Sequence, residues 1–523
     1  MKLFVVAVCA CLALVAAAVP QKRFGVPLSA EDDCNPNIRA RNFSADPNDC
    51  QVFYICDNGW PKISFCPGVT VWTPAAERCL NRHEAENAVC QFVYVPEAVE
   101  IGVGLAPVDE TCDFQCEDNS GCIARRAQCD GISHCRDGSD ERDCAPPCDL
   151  DRCRLPDCKC SDTLIPGGLL ASQVPQLVMI GWDEAVRVED YNHLYQQIFK
   201  KLSSARRREP RRNADGCPMT GTFFVSHQFT DYAAVNALYA EGNEIATHSV
   251  SKQLPAEYWR DSERRVWHEE FVTMRLLLNQ LGNVKAEDIV GMRAPYLQTA
   301  GDDTIIMAQR NNFLYDSSYA TDRNDYPIWP YTFDYRSTAG CAVEPCPLQS
   351  LPGVWEIPLV DWIDTNNTLC ENVDSCYFPE TKQEAMELLF SNFARHYQTN
   401  KAPFAINLRA RWFLDDGMHN LEALQDFLEG VERMDDVYVV TFAQALQWVR
   451  DPTPLNDMDG FFNCDYRDRT PMCEHPTLCG YYNITYQPND VDHQGDRFFM
   501  TCNECPPQYP WVMPIDTLRA LGL

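Results

Sequence analysis

The most informative stretch in the larger part of this chain is Gln176-Leu177-Val178-Met179-Ile180-Gly181-Trp182-Asp183-Glu184. Its apolar first half predicts a buried strand, and its acidic end predicts a loop at the carboxyl end of that strand. Similar short apolar runs recur downstream and alternate with longer amphipathic stretches. They predict strands at 176–180, 220–225, 244–247, 289–292, 354–358, 404–408 and 437–441, and helices at 191–203, 264–280, 382–399 and 420–434. This alternation indicates an α/β domain built as a parallel barrel or a close, distorted variant of one.

Polar clusters follow several of the predicted strands. In parallel barrels the chemistry gathers at the carboxyl ends of the strands, so residues that follow different strands meet at one end of the domain. We therefore expect a common site there. Its members would come from Asp183-Glu184, His248 to Lys252, Arg293 to Tyr296, and Arg409 to Trp412.

The start of the chain and its cysteines predict secretion. Met1-Lys2-Leu3, an apolar run over 4–15 and Ala16-Ala17-Ala18 are typical of a cleavable signal peptide, which we place at 1–18. The run is too short to span a bilayer, so no membrane anchor is predicted. Removing Cys9 and Cys11 from the 28 cysteines leaves 26, an even number that indicates disulfide bonds. Three glycosylation sequons, at Asn42, Asn366 and Asn483, agree with an extracellular location.

The formal net charge of −31 excludes nucleic acid as a partner, because phosphate binding needs a basic surface. The acidic residues are spread along the chain rather than gathered in one run. This pattern is typical of a well-solvated protein. It is also compatible with a surface that collects calcium or calcium mineral, and both interpretations stay open.

The first cysteine-rich module, predicted at 31–92, contains six cysteines with aromatic residues between them. So small a segment depends on cross-links for stability, which frees aromatic rings to pack on sugar faces or to form a small core. The cysteine spacing resembles that of the peritrophin-type chitin-binding domain, as does the stretch Asp49-Cys50-Gln51-Val52-Phe53-Tyr54-Ile55-Cys56. The resemblance implies chitin binding, sugar contacts at Tyr54, Trp60 and Trp72, and the disulfide bonds Cys34–Cys56, Cys50–Cys90 and Cys66–Cys79.

A second module, predicted at 111–145, resembles an LDL-receptor class A repeat. Carboxylates cluster after its fourth cysteine and offer the oxygen ligands that calcium prefers. The resemblance implies calcium ligands at Asp130, Asp140 and Glu141, whereas His134 stands where the family carries an aspartate. A cross-linked spacer without metal is the alternative, and a receptor function lacks its membrane anchor. The predicted disulfide-bonded residues are Cys112, Cys122, Cys116, Cys135, Cys129 and Cys144.

The third region, 148–523, resembles the polysaccharide deacetylase domain of carbohydrate esterase family four. The likeness rests on Thr220-Gly221-Thr222-Phe223-Phe224-Val225, on Gly291-Met292-Arg293-Ala294-Pro295-Tyr296-Leu297, on Ile328-Trp329-Pro330-Tyr331 and on the cysteine-rich tail. The three modules together resemble arthropod chitin deacetylases, which suggests a matrix protein of a crustacean cuticle or gastrolith.

Active members of that family bind zinc through one aspartate and two histidines, and they use an aspartate as base and a histidine as acid. The resemblance places the base at Asp183 and its orienting arginine at Arg293. It places metal ligands at Glu184, which is one methylene longer than the family's aspartate, and at His248. Asp183, Arg293 and His248 therefore keep the residue that the family has at their positions. We nevertheless expect these positions to be non-functional.

Two cations stand where the family carries imidazoles. Lys252 replaces the second metal-binding histidine, and an ammonium has no lone pair to donate. Arg409 replaces the acid histidine, and a guanidinium stays charged and delivers no proton. We therefore expect no zinc at this site, and we expect Lys252 to pair with Asp183 or Glu184 instead. Four further histidines match no motif position, and of these His419 lies near Arg409 in the sequence and is the alternative acid. They are His227, His268, His396 and His419.

The sequence thus predicts a secreted, acidic, chitin-binding protein of the extracellular matrix with a catalytically inactive deacetylase-like domain. Its calcium-type repeat and acidic surface suggest a role where chitin meets calcium or mineral. The alternative is an active, metal-dependent chitin deacetylase that releases acetate from N-acetylglucosamine polymers.

Overall fold

The computed structural model describes two compact units, Met1–Pro107 and Val108–Leu523. In the first unit it describes only the backbone of five strands. In the second it describes residues 114–119, 121–123, 128, 133–142, 144–202, 207–321, 326–413, 418–485, 494–512, 514 and 517.

The first unit contains a three-stranded antiparallel sheet and a separate hairpin. The sheet has the order β1-β2-β3, and β4 pairs with β5. The strands are β1 Phe43–Ala45, β2 Val52–Asp57, β3 Trp60–Phe65, β4 Thr70–Thr73 and β5 Arg78–Asn81. The backbones of Tyr54, Trp60 and Trp72 lie on these strands. Their side chains, and the predicted disulfides of this module, lie outside the described residues.

The LDL-receptor-like segment opens the second unit. Its short hairpin joins β6 Phe114–Gln115 to β7 Cys122–Ile123, and a single 3₁₀ turn spans Ser139–Glu141. A disulfide joins Cys116 to Cys135, and Cys122 and Cys144 are also disulfide-bonded. The described parts of the chain contain no helix that is long and apolar enough to cross a membrane.

An incomplete α/β barrel forms the body of the second unit, so the predicted fold class is confirmed. Its nine-stranded sheet has the order β15-β16-β14-β13-β12-β11-β8-β19, and β20 also pairs with β8. All neighbours are parallel except β15, which runs antiparallel at the edge. The strands of this sheet are β8 Gln176–Glu184, β11 Thr222–Val225, β12 Glu244–Thr247, β13 Gly291–Met292, β14 Tyr315–Asp316, β15 Tyr331–Thr332, β16 Trp355–Glu356, β19 Phe404–Leu408 and β20 Val437–Val440.

Helices cover this sheet, and side-chain caps define where several of them begin. Asp231 accepts a hydrogen bond from the third residue of its helix, and Thr381 and Thr441 do the same. The helices are α1 Val188–Asp190, α2 Gln196–Ile198, α3 Tyr232–Ala240, α4 Glu257–Asp261, α5 Arg264–Gly282, α6 Asp302–Arg310, α7 Lys382–Tyr397, α8 Met418–Val431 and α9 Phe442–Arg450. A π-helical turn, Tyr191–Tyr195, joins α1 to α2, and 3₁₀ turns lie at Pro166–Gly168, Ala171–Gln173, Ala286–Asp288, Pro295–Leu297, Ala410–Phe413 and Leu455–Asp457.

The helix predicted at 191–203 is wrong in its second half. The helical turns end at Ile198, and β9, Lys200–Leu202, pairs antiparallel with β10, Arg208–Pro210. Ion pairs favour the extended form, because Lys200 reaches Glu241 at 2.7 Å and its neighbour reaches Glu432 at 2.6 Å. Tertiary contacts therefore override the local helical pattern.

Two further hairpins and several disulfides lie outside the main sheet. The hairpins pair β17 Trp362–Ile363 with β18 Leu369–Cys370, and β21 Thr477–Thr485 with β22 Gln494–Thr501. The sequence did not predict which cysteines pair within 148–523. Among the described residues of this region, the structure contains seven disulfide bonds. They are Cys148–Cys160, Cys153–Cys158, Cys217–Cys464, Cys341–Cys346, Cys370–Cys376, Cys473–Cys502 and Cys479–Cys505.

Candidate functional site

The acid at the end of β8 and the arginine that follows β13 form a buried ion pair. Arg293 is completely buried, and its Nη1 donates to Asp183 Oδ1 over 2.8 Å. Its Nε and Nη2 donate to the carbonyl and the hydroxyl of Ser317 at 2.7 and 2.9 Å. The guanidinium also lies 3.9 Å from the centre of the Phe224 ring. Each part of Arg293 therefore has a partner, so the residue holds Asp183 in one position.

A glycine makes this approach possible. A Cβ atom on Gly181 would lie 2.6 Å from Oδ1 of Asn407 and 3.3 Å from Nη1 of Arg293. Any side chain at this position would therefore clash with Asn407 and crowd the arginine. Sequence reasoning missed Gly181 as a site residue, although it is the glycine that interrupts the apolar run of β8.

Charge around Asp183 outweighs the effect of its burial. Burial by itself would raise the pKa of this carboxyl, but Arg293, His248 and Lys252 together bring the pKa below its usual value. Asp183 is therefore ionised at neutral pH, in the state that a base requires.

His248 follows β12 and is buried against the same arginine. Its Nδ1 donates to the carbonyl oxygen of Arg293 over 3.0 Å. Burial lowers the pKa of His248 to about 4, against the opposing effect of Asp183. The imidazole is therefore neutral at pH 7.

The loop after β12 carries Lys252 into the site. Ser249 and Lys252 both adopt positive φ angles, 73° and 46°, which only a well-held loop imposes on such residues. Glu270, a buried residue of α5, accepts the backbone N–H groups of Val250 and Ser251 at 2.9 Å each. It also accepts the Ser251 hydroxyl at 2.5 Å. Sequence reasoning missed Glu270, because its role depends on which helix packs behind the loop.

A chain of opposite charges runs across the mouth of the site. Lys252 Nζ lies 2.5 Å from Glu184 Oε1, and Arg409 Nη1 lies 3.8 Å from the same oxygen. Arg409 Nε lies 2.5 Å from Asp374 Oδ2. Of the two partners expected for Lys252, the hydrogen-bonded contact is thus with Glu184 rather than with Asp183. Glu184 itself has a φ of 100°, which turns it out of the strand direction.

Asp374 is a further site residue that sequence reasoning missed. It is almost completely buried, and it lies in the loop that the Cys370–Cys376 disulfide closes. Burial raises its pKa, although the adjacent Arg409 opposes the rise. The acidic position between two nearby cysteines was its only signal in the sequence.

Several of the side chains described above line a small pocket with a volume of about 270 Å³. The structure therefore brings the predicted strand-end residues together. The lining includes Asp183, His248, Lys252, Arg409, Tyr296 and Asn372.

The donor atoms in this pocket do not gather as a metal site does. Among the described residues, three potential ligand atoms of His, Cys, Asp or Glu come within 4.8 Å of one another only at Cys148, Cys153 and Cys160. Those sulfurs belong to the disulfides Cys148–Cys160 and Cys153–Cys158.

Three of the other histidines bond to groups outside this pocket. Burial lowers the pKa of His227 and of His396 to about 3, and they bond to the Tyr232 hydroxyl and the Ala402 carbonyl. His419, the alternative acid, donates through Nε2 to the Pro379 carbonyl at 2.9 Å.

The calcium-type repeat contains one carboxylate poised for a cation. Asp140 is fully buried, and its Oδ2 accepts the backbone N–H of His134. Its Oδ1 has no hydrogen-bond partner among the described residues. A buried carboxylate oxygen without a donor fits a hard cation such as calcium. Glu141 belongs to the same 3₁₀ turn, whereas Asp130 lies outside the described residues.

Two parts of the chain match family models. Residues 34–90 match the chitin-binding Peritrophin-A domain, and residues 110–144 match the low-density lipoprotein receptor domain class A, a domain that typically binds calcium.

Similarity to characterised proteins extends over most of the chain. Chitin deacetylase 8 of Bombyx mori is 34% identical over 373 residues, which are 70% of this chain and 92% of that protein. Chitin deacetylase 1 of Bombyx mori is 31% identical over 469 residues, which are 84% of this chain and 81% of that protein. The solved structure of a family 4 carbohydrate esterase from Streptomyces lividans in complex with acetate is 11% identical, with a TM-score of 0.27; the match covers 50% of this chain and 91% of that one.

The Peritrophin-A match makes the protein chitin-binding, and both small modules are of the extracellular, disulfide-rich type. The two silkworm relatives share the larger domain as well and are matched over more than four fifths of their lengths. This chain therefore belongs to the chitin deacetylase family.

Proposed function

We propose that this protein is a secreted chitin-binding component of the extracellular matrix whose deacetylase-like domain is catalytically inactive. One observation carries the proposal. Lys252 Nζ lies 2.5 Å from Glu184 Oε1, so the ammonium group of Lys252 supplies the positive charge that a metal ion would otherwise supply. Both residues occupy positions where the family has metal ligands.

The residues present do not fit zinc. A zinc site needs deprotonated oxygen, nitrogen or sulfur donors, and an ammonium offers none and repels the metal. The carboxylates that a metal would neutralise are instead matched by cations of the chain. Asp183 faces Arg293, Glu184 faces Lys252, and Asp374 faces Arg409. The two substituted positions, Lys252 and Arg409, supply the charges that pair with Glu184 and Asp374, and the buried Asp374 requires such compensation.

The acid position argues in the same direction. Arg409 is held by Asp374. Burial lowers the pKa of this guanidinium, but the Asp374 bond and the charges of Asp374, Glu184 and Asp183 together bring the pKa above its usual value. It therefore protonates no leaving amine. General acid–base catalysis is worth about 10²- to 10⁴-fold, and that contribution is missing here.

The barrel still offers a surface for the polymer. Tyr377 and Phe378 are 49% and 42% exposed, and they lie on the loop whose residues Glu371 and Asn372 line the pocket. Aromatic rings of this kind pack on the C–H faces of sugars. We propose that chitin contacts these rings as well as Tyr54, Trp60 and Trp72 of the small module.

The calcium-type repeat and the acidic surface support a role near calcium or mineral. Asp140 supplies a buried oxygen without a hydrogen-bond donor, and the chain carries a formal net charge of −31. His134 replaces a family ligand, and imidazole is a poor calcium ligand. We therefore propose calcium binding that is weaker than that of a complete repeat.

An active chitin deacetylase is the second candidate. Both silkworm relatives carry that name, and the ionised Asp183, the buried Arg293 and the neutral His248 are all in place. Lys252 and Arg409 are the two residues against it.

One experiment separates the two candidates. The purified full chain is assayed for bound zinc and calcium and for acetate release from chitin oligomers, with and without added zinc. The double variant Lys252→His/Arg409→His is then compared with Lys252→Gln/Arg409→Gln, which removes the same charges without supplying imidazoles. We expect no zinc and no acetate from the native chain. The histidine variant should gain both, by at least 100-fold in rate, and the glutamine variant should gain neither.

Ordinary rates of acetate release from the native chain would reinstate the esterase. Equimolar zinc that survives chelation of the native chain would refute the Lys252 argument even without activity.

A further inference from the structure

The hairpin of β21 and β22 presents an apolar face that the described protein leaves uncovered. Leu478, Tyr482 and Phe498 are 65%, 67% and 50% exposed. The neighbouring residues Cys479 and Phe499 are buried, so the hairpin packs with one face and exposes the other. Three large apolar side chains gathered on one small hairpin differ from the isolated exposed residues that are normal on protein surfaces.

The two exposed rings form one unit. The rings of Tyr482 and Phe498 lie 5.5 Å apart at an angle of 81°. Gly480 is paired with Phe498 across the hairpin, and a Cβ atom there would lie 3.1 Å from that ring. The glycine thus leaves room for the ring beside the backbone, and the pair remains open to solvent.

A glycosylation sequon follows Tyr482 directly. It reads Asn483-Ile484-Thr485, and its asparagine lies in a bulge of β21, where the register shifts between Tyr481 and Ile484. In a regular strand Asn483 would share the face of Cys479 and Tyr481, because side chains alternate. The bulge and a φ of 55° break that alternation, and Asn483 is exposed. Its backbone N–H is held by Asp496 at 2.9 Å.

We propose that Asn483 carries an N-linked glycan whose first N-acetylglucosamine covers the rings of Tyr482 and Phe498. In the reaction, Nδ2 of Asn483 bonds to C1 of a lipid-pyrophosphate-linked oligosaccharide. The bond between C1 and the pyrophosphate oxygen breaks, the lipid pyrophosphate leaves, and the amide loses one proton. The modification rests on the secretion that the proposed function assumes. The axial C–H groups of the sugar pack on the rings, while its hydroxyl groups remain in water.

The test uses the full chain secreted from insect cells, with peptide mass spectrometry of Asn483 and of the exposed comparator Asn366. We expect Asn483 to be occupied. Thr485→Ala removes the glycan and keeps the asparagine, and it should lower the Tm by about 1–3 °C. Trimming the native glycan to a single N-acetylglucosamine should leave the Tm unchanged.

A second pair of variants tests the sugar–ring contact itself. In a Tyr482→Ser/Phe498→Ser background, adding Thr485→Ala should cause no further loss, because the rings that the sugar covers are gone. Asn366→Gln should lower the Tm equally with and without the rings.

Four results would overturn the inference. An unmodified Asn483 in secreted protein refutes it and leaves the proposed function intact. Equal losses from Thr485→Ala in both backgrounds refute the ring contact, and dimerisation or chitin binding through Tyr482 in the glycosylated chain would show another occupant. Failure of the chain to enter the medium would overturn both the inference and the secretion on which it rests.

Discussion

At the scale of single residues, Asp183, Glu184 and Asp374 each face a cation supplied by the same chain. The Asp183–Arg293 pair is the most buried of these contacts, whereas Glu184 is 43% exposed. Buried pairs are costly to break because one charge is left without compensation, but exposed pairs contribute little. The stability of the site should therefore depend mainly on Asp183.

We expect Asp183→Asn to lower the free energy of unfolding by about 3 kcal/mol at pH 7, because Arg293 would keep a buried, unpaired charge. Asp183 has a lowered pKa in the folded protein. Its stabilisation is thus complete above the unfolded value near pH 4 and is lost as pH falls through the folded value. The difference between wild type and variant should therefore shrink as the pH falls below about 4. Urea unfolding followed by tryptophan fluorescence measures it. The control is Asp261→Asn, which removes the carboxylate of the exposed ion pair with Arg260. It should lower the free energy of unfolding by under about 1 kcal/mol. A loss as large as that of Asp183→Asn would contradict the argument.

At the scale of elements, the loop after β12 depends on a helix that lies elsewhere in the sequence. Glu270 of α5 binds two loop N–H groups and one hydroxyl, and this fixes the positive-φ backbone that ends at Lys252. The contact between Lys252 and Glu184 therefore rests on helix packing as well as on the two residues themselves.

We expect Glu270→Gln to cost about 2 kcal/mol, because a charged acceptor with three donors becomes a neutral amide with one oxygen. Hydrogen exchange of the 248–252 amides should accelerate at least 10-fold, since the loop opens more often. Glu257→Gln, on the exposed side of α4, is the matched control and should change neither quantity. Unaltered exchange in the Glu270 variant would mean that the loop is held by other contacts.

At the scale of the whole molecule, a long-range disulfide connects the start of the sheet to the cysteine-rich tail. Cys217 precedes β11 and bonds to Cys464, 247 residues away. The tail also contacts the barrel core, since Phe499 and Tyr509 pack around the buried His227. The cross-link and the packing together join the tail to the domain.

Cys217→Ser/Cys464→Ser should lower the free energy of unfolding by about 3–5 kcal/mol, because closing so long a loop removes much entropy from the unfolded chain. The control is Cys341→Ser/Cys346→Ser. The bond between these two cysteines closes a loop of only five residues, so its loss should cost less free energy of unfolding. Thermal unfolding of both double variants gives the comparison. A larger loss from the short loop would show that local packing, rather than loop closure, dominates.

The sequence was enough to predict the modules, the fold class and the strand-end positions of Asp183, His248 and Arg293. These follow from local patterns, namely cysteine spacing, apolar runs and short motifs, which are legible over a few residues. It also revealed that Lys252 and Arg409 stand at imidazole positions, because that is a matter of identity alone.

The partners of these side chains are apparent only in the folded protein. Lys252 bonds to Glu184, which is 68 residues away, and Arg409 bonds to Asp374 across a disulfide-closed loop. Residues 200–202 form a strand rather than the predicted helix because Lys200 and Lys201 form ion pairs with acidic residues that are distant in the sequence. Contacts of this kind depend on which surfaces pack together and on individual backbone angles, such as the φ of 100° at Glu184, which no local pattern encodes.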